Sequence, residues 1–300
     1  MRPWREAWDD ALYGPGGFFV REAPADHFAT SVTASPVLAE AVRVLAGRVD
    51  DALGRPDPFD VVDLGAGRAE LLQALPDVPA RWRLTAVERA PSPALRGVRW
   101  LAEVPPTTGL LLAHEWLDAV PLDVLDGDRL VLVGADGGEE AGPLAPADVR
   151  AWADRWWPGG GRVEAGLARD RAWAAAVARV ERGLAVAVDY GHARDDPRFG
   201  PRRPTLTGYR AGRAVRPVPD GSCDVTAHVA LDACAAATGA RLLDQRTALR
   251  ALGVDGRVPA EPTAAGLQRA SAAARLLDRA GAGGFGWLVQ EVGVTGTLPG

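Results

Sequence analysis

Four short apolar runs in this chain lead into acids. Asp63 stands near the end of the run 59–64, Glu88 ends 83–88, Glu115 and Asp118 follow 109–113, and Asp189 follows 184–188. A carboxylate can hold a cation, accept hydrogen bonds from hydroxyls, or take a proton. Gathered on one edge of one sheet, these acids would make a cleft suited to a cationic cofactor and a cationic acceptor. Glu115 and Asp118 are three residues apart, so a helical turn would put them on one face. Such a pair could hold a cationic acceptor or receive its proton. An N-cap followed by a solvated turn explains the same residues without chemistry.

The turn after the first acid narrows the cofactor. Gly65 and Gly67 allow a sharp bend and a close approach of backbone to ligand. A dinucleotide fingerprint wants a third glycine three residues after the second, and that position is Glu70. Asp63 would repel a pyrophosphate. It suits S-adenosylmethionine (SAM), which has no phosphate but carries an ammonium and a sulfonium. Glu88 lies about 20 residues past the turn, the usual offset for an acid that binds ribose hydroxyls. A doubly wound strand, turn and helix with a solvated Glu88 is the plain alternative, and an NAD-binding module is a further one.

These acids need a sheet to position them, and the remaining pattern supplies one. Helical spacing covers 36–53, and strands are expected at 59–64, 83–88, 97–101, 109–113, 184–190, 241–245 and 287–294. Helices are expected at 171–182, 226–237 and 262–280, the first residues after Asp224 or Thr226 forming a capped turn that holds His228. Alternating strands and helices predict an α/β fold with a mostly parallel sheet and helices on both faces. Residues 1–57 form an N-terminal helical segment over the pocket, and 58–300 form the core. An insertion at about 134–170 carries Trp152, Trp156 and Trp157, read first as a helix burying its tryptophans in a satellite core. Residues 201–219 form a long Arg/Pro/Gly-rich connection.

Composition excludes several classes. The net charge of −5 and pI near 5.5 argue against nucleic acid as the main partner. The chain has no lysine, asparagine or isoleucine. All three have AT-rich codons, so this reads as genome bias, but it does exclude lysine chemistry. Two cysteines make no disulfide framework, four histidines show no metal-ligand spacing, and no Gly-x-Ser-x-Gly elbow appears. With no signal core and no long apolar run, the expected place is the cytoplasm, without a membrane partner.

Several stretches resemble the MidA-type family of SAM-dependent methyltransferases, which includes mitochondrial complex I assembly factors. They are Tyr13-Gly14-Pro15-Gly16-Gly17-Phe18-Phe19, His27-Phe28-Ala29-Thr30-Ser31, Asp63 to Arg68, His114 to Pro121, Asp189-Tyr190-Gly191, and above all Thr205-Leu206-Thr207-Gly208-Tyr209-Arg210 with Asp224-Val225-Thr226-Ala227-His228-Val229. The resemblance implies a class I methyltransferase (Rossmann-like) fold. It implies SAM held by Asp63, Gly65, Gly67, Glu88, His114, Thr30 and Ser31, and chemistry at Glu115, Asp118 and His228, although a structural His228 is the safer reading of that residue alone. It also implies a guanidinium acceptor, since the mitochondrial members methylate protein arginine. The chain departs from the family at Ala69 (glycine), His114 (asparagine), His27 (aspartate), Thr207 (arginine), Gly212 (histidine) and Ala230 (aspartate), mostly on the acceptor side. The expectation is therefore a SAM-dependent methyltransferase acting on a cationic protein or small-molecule acceptor, with a homodimer allowed. A biosynthetic N- or O-methyltransferase and a non-catalytic SAM-binding assembly protein are the alternatives.

Overall fold

The computed structural model describes residues 1–21, 36–91, 93, 95–258, 260 and 263–298. Its main sheet has seven strands in the order Val98–Leu101, Trp82–Val87, Phe59–Leu64, Thr107–His114, Val180–Asp189, Gly286–Val292 and Arg241–Asp244. The first five run parallel to one another, and Gly286–Val292 is antiparallel to both its neighbours. All six residues of Phe59–Leu64 are buried. Val61 packs on one face with Leu110, Leu112 and Val186, whereas Val62 packs on the other with Leu111, Ala113 and Ala187. Side chains alternate along each strand, so both faces are apolar and both take helices. Pro36–Ala52, Gln245–Ala251 and Ala264–Leu277 cover the first face, and Leu167–Val177 and Leu231–Thr238 the second. Asp60 interrupts the apolar run and is balanced at once. It accepts from Arg83 Nε at 2.5 Å and from the Thr108 N–H at 3.0 Å, both on neighbouring strands.

The register decides where the acids go. Leu64 stands beside Val87 and Ala113, and Val188 beside His114. Asp63, Glu88, Glu115 and Asp189 therefore follow one edge of the sheet, at the carboxyl ends of four adjacent parallel strands.

A second, antiparallel sheet lies beside this edge. It runs Arg2–Pro3, Arg129–Val133, Asp123–Asp126, Arg162–Ala165, with Glu139–Leu144 also on Arg129–Val133. It begins earlier than the insertion suggested by sequence, because Asp123–Asp126 and Arg129–Val133 form a hairpin. Its two-residue loop is Gly127-Asp128, with Gly127 at φ +55°, which matches the twist of the paired strands. The helix Trp4–Tyr13 packs Trp4, Trp8 and Leu12 with Val124, Val131 and Val225. The helix Ala147–Trp156 joins Trp152 and Trp157 to Leu125, Leu130 and Val163, and Trp152 Nε1 donates to Asp170 Oδ2 at 2.6 Å.

Two helices differ from expectation. Leu167–Val177 starts four residues before the expected 171, and the strand Val180–Asp189 takes the residues expected to end that helix. Asp224–Thr226 is a strand on Thr207–Arg210, and the helix expected at 226–237 begins only at Leu231, without a side-chain cap. Val225 and Thr226 are β-branched and find a pairing partner, which overrides the Asp/Thr capping pattern. His228 consequently lies in the link between two strands and not in a first helical turn.

Candidate active site

A cavity opens over the acid-tipped edge. It encloses about 840 Å³, including space continuous with solvent, within the range of a cofactor-sized ligand. Gly65, Gly67, Glu88 and Ala90 line it together with Glu115, Trp116 and Ala119. Tyr13, Phe19 and Arg21 from the first two helices close over it.

The glycine turn is built as sequence suggests, with one surprise. Gly65 has φ +75°, and a Cβ there would sit 2.6 Å from Trp116 Cδ1, so only glycine lets the indole pack on the turn. Gly67 has φ +57°, and so, nearly, does buried Ala69 at +61°, the position where the family carries glycine. An L-residue with a Cβ pays about 1 kcal/mol for that conformation. Glu88 is fixed from three sides: Oε2 accepts from the Gly67 N–H at 3.1 Å, and Oε1 from the N–H groups of Arg89 and Ala90 at 2.7 and 3.0 Å. A carboxylate has about four acceptor sites, so capacity remains on Oε2 for one ribose hydroxyl. This cradle fits SAM: a left-handed backbone turn with no room for a Cβ at Gly65, and beside it an immobilised acid at the ribose offset.

Asp63 does not line the cavity. It is buried beneath the turn, and burial, reinforced by Glu70 and Glu88, pushes its carboxyl up to about 7. His114 is also buried, with Nδ1 3.5 Å from Glu115 Oε1, and desolvation lowers it to about 4, so its ring is neutral at pH 7. Thr30 and Ser31 lie outside the described residues.

The Glu115–Asp118 end of the site holds the acids assigned to an acceptor: Glu115 lines the cavity, whereas Asp118 is buried and does not. Glu115 takes a left-handed backbone, φ +51°, while its N–H bonds Val188 O at 2.8 Å, and its side chain reaches the cavity. Non-glycine residues in this conformation cluster at functional sites. Asp118 sits on the 3-10 turn Leu117–Ala119, which Asp189 caps by accepting from the Leu117 and Asp118 N–H groups at 2.9 and 3.2 Å. The Tyr190 hydroxyl donates to Asp118 Oδ2. Burial raises Asp118 to about 6, offset in part by Tyr190 and Arg169. Burial, then the charges of Asp118 and Glu115, raises Asp189 well above the ordinary carboxylate value.

Arg169, which nothing in the sequence singles out, ties this end together. It is 1% exposed. Nε donates to Val120 O at 2.9 Å, Nη1 to Ala227 O and His228 O at 2.8 and 3.0 Å, and Nη2 to Asp118 O. The guanidinium also lies 5.6 Å from the Trp8 ring. His228 does not line the cavity: its ring stands edge-on to Tyr190 at 5.2 Å, and its N–H donates to Thr205 Oγ1 at 2.8 Å. Among the described residues no group of three or more His, Cys, Asp and Glu is arranged to hold a metal, and no helix is long and apolar enough to cross a membrane.

Known proteins resemble the chain over most of its length. Residues 48–246 match the model of a family described as S-adenosyl-L-methionine-dependent methyltransferases. A curated relative, the mitochondrial "Protein arginine methyltransferase NDUFAF7 homolog" of Drosophila melanogaster, is 28% identical over 257 residues, covering 67% of this chain. The chain spans 57% of that relative's length. A crystal structure from Burkholderia thailandensis with S-adenosyl-homocysteine bound superposes with TM-score 0.79 at 24% identity, over 99% of this chain and 89% of that one. A native structure from the same organism gives 0.77 at 24%, over 98% and 88%. These two likenesses show the α/β methyltransferase fold. With a match across 48–246 and a turn that fits the cofactor, the chain belongs to the MidA-type family of SAM-dependent methyltransferases.

Proposed function

We propose that the chain methylates a cationic nitrogen, with the guanidinium of a protein arginine as the leading acceptor. The observation that carries this reading is the cavity that Gly65, Gly67 and Glu88 line together with Glu115, with Asp118 buried on the turn that follows Trp116. SAM, when bound, supplies a methyl on a sulfonium, already a good leaving group. The protein's work is then alignment and charge. Asp189 fixes the turn that carries Asp118, and Arg169 fixes the same turn from below. Glu115 and Asp118 are the groups we assign to the acceptor, as carboxylates match a guanidinium or ammonium fork. A protonated nitrogen must lose a proton as it gains the methyl. Asp118, raised to about 6, is the group suited to receive it.

The relative's printed name supports arginine, and its compartment is mitochondrial, whereas the cytoplasm is our reading for this chain. The residues proposed for cofactor binding are Gly65, Gly67 and Glu88, with Asp63 and His114 acting from beneath. Incubating the enzyme with radiolabelled SAM and a cell extract tests the acceptor. A labelled protein band whose hydrolysate contains methylarginine is expected. A labelled small molecule favours a biosynthetic methyltransferase. Neither product, with SAM binding intact, favours a non-catalytic assembly role.

A further inference from the structure

Asp224 is a buried acid with no paired cation among the described residues, eased only by the backbone N–H of Val225. It belongs to the strand Asp224–Thr226, is 6% exposed, and its Oδ1 is out of solvent without a hydrogen-bond partner among the described residues. The groups around it make this worse. The Asp118 carboxylate is near enough for its charge to act on it, and its own Oδ1 is likewise buried and unpartnered. The Cys223 thiol adjoins it, and the Tyr13 hydroxyl lies in the field of both aspartates. The two segments are held close, since the Ala227 N–H donates to Asp118 O at 3.2 Å. The nearby buried cation, Arg169, commits four of its five N–H donors to carbonyls. An uncompensated acid facing a second acid is expensive to bury. Two buried, unsatisfied carboxylate oxygens become favourable once a positive group with two or more N–H donors reaches them. Neither acid lines the cavity itself, but Tyr13, which lies in the field of both, lines its wall, so the pair stands behind that wall.

We propose that Asp224 is a specificity-determining residue of the acceptor pocket, its Oδ1 acting with Asp118 Oδ1 to receive the N–H donors of a cationic acceptor, a protonated amine or a guanidinium. The inference rests on the methyl-transfer reading above and assigns a residue that reading does not use. Free, Asp224 keeps its proton, because burial and the Asp118 charge raise it well above the ordinary carboxylate value. When the cation arrives, the proton passes to the buffer and the carboxylate pairs with the incoming N–H. Binding of a cation is thereby coupled to release of one proton.

The test titrates methylguanidinium and methylammonium into the full chain saturated with S-adenosyl-homocysteine, with neutral methylurea as the control. Calorimetry near pH 7 in two buffers of different ionisation heat reads affinity and proton release together. At least one cation should bind, methylurea should not, and about one proton should leave per cation. Which cation binds more tightly distinguishes an arginine-like from an amine acceptor. Asp224→Asn should weaken that binding by about tenfold or more and abolish the release. Its affinity for S-adenosyl-homocysteine should stay within about twofold, which also reports that the variant is folded. Unchanged cation binding in Asp224→Asn, alongside a loss in Asp118→Asn, would overturn the role of Asp224 and leave the cationic-acceptor reading standing. Binding of neither cation by the wild type would overturn both.

Discussion

Replacing Arg169 with methionine is the sharpest probe of how the acceptor end is held. The side chain is fully buried and gives hydrogen bonds to the carbonyls of Asp118, Val120, Ala227 and His228. Methionine keeps much of the volume and removes every donor. A buried acceptor left without a donor costs about 1–3 kcal/mol, so the four together set a ceiling on the order of 10 kcal/mol. Two effects reduce it. The Asp118 carbonyl retains the Ala227 N–H, and the variant no longer has to desolvate a guanidinium, a cost of several kcal/mol. The net expectation is a loss of about 3–5 kcal/mol, the range for breaking a buried charged network. At about 2–4 °C per kcal/mol for a chain of this size, the melting temperature should fall by about 6–20 °C. Urea denaturation and calorimetry measure this directly. Arg169→Lys keeps the charge beside Asp118 and Asp189 but cannot fork to four carbonyls, so it should recover only part of the loss. Where both variants remain folded, turnover should drop more than affinity for S-adenosyl-homocysteine, because the glycine turn makes no contact with Arg169. A methionine variant within about 1 kcal/mol of wild type would refute the argument that this residue braces the site.

Three other outcomes follow from the geometry. Gly65→Ala needs a left-handed alanine, costing about 1–2 kcal/mol, and drives a methyl into Trp116; affinity for S-adenosyl-homocysteine should fall by about tenfold or more, and an unaltered affinity would remove the turn from the cofactor site. Glu88→Ala removes the acid anchored by Gly67, Arg89 and Ala90, and should weaken the same ligand by about 1.5–3 kcal/mol in equilibrium titration. His114 titrates near 4 when folded and near 6.5 when unfolded, so the unfolded chain gains the proton first as pH falls. Its stabilising contribution is complete above pH 6.5 and is lost between 6.5 and 4, about 3 kcal/mol in all. His114→Asn should flatten that part of the stability profile, and denaturation curves at pH 7 and 4.5 with an unchanged difference between wild type and variant would contradict it.

The parallel strands were legible because their residues have no wet face to offer. Val61-Val62, Leu110 to Leu112 and Ala185 to Val188 are apolar at every position, and only a sheet covered on both sides accepts that. The acids at their ends were legible for the same reason, as the first polar residues after an apolar run. The Gly127-Asp128 hairpin went unread although its sequence signals it, since the polar stretch behind it dominated the pattern. Thr226 was misread because an Asp-Val-Thr segment serves equally as a cap or an edge strand, and pairing with Thr207 decides. Arg169 left no trace at all. Its partners are backbone carbonyls, which every residue possesses, so no spacing or composition could announce it. Asp224 belonged to a recognised motif, but its lack of a paired cation among the described residues is a property of packing alone.

The pairing of Arg2–Pro3 with Arg129–Val133, and of Trp4 and Trp8 with Val124, Val131 and Val225, has a kinetic side. On the ribosome, the helix Trp4–Tyr13 emerges long before any of those partners. Its apolar stripe must wait through more than a hundred residues of synthesis. The wall that closes the cofactor cavity is thus made well before the partners it docks on. A nascent chain halted before residue 225 should leave two tryptophans available to chaperones, and should be unable to retain the cofactor however well its central sheet has formed.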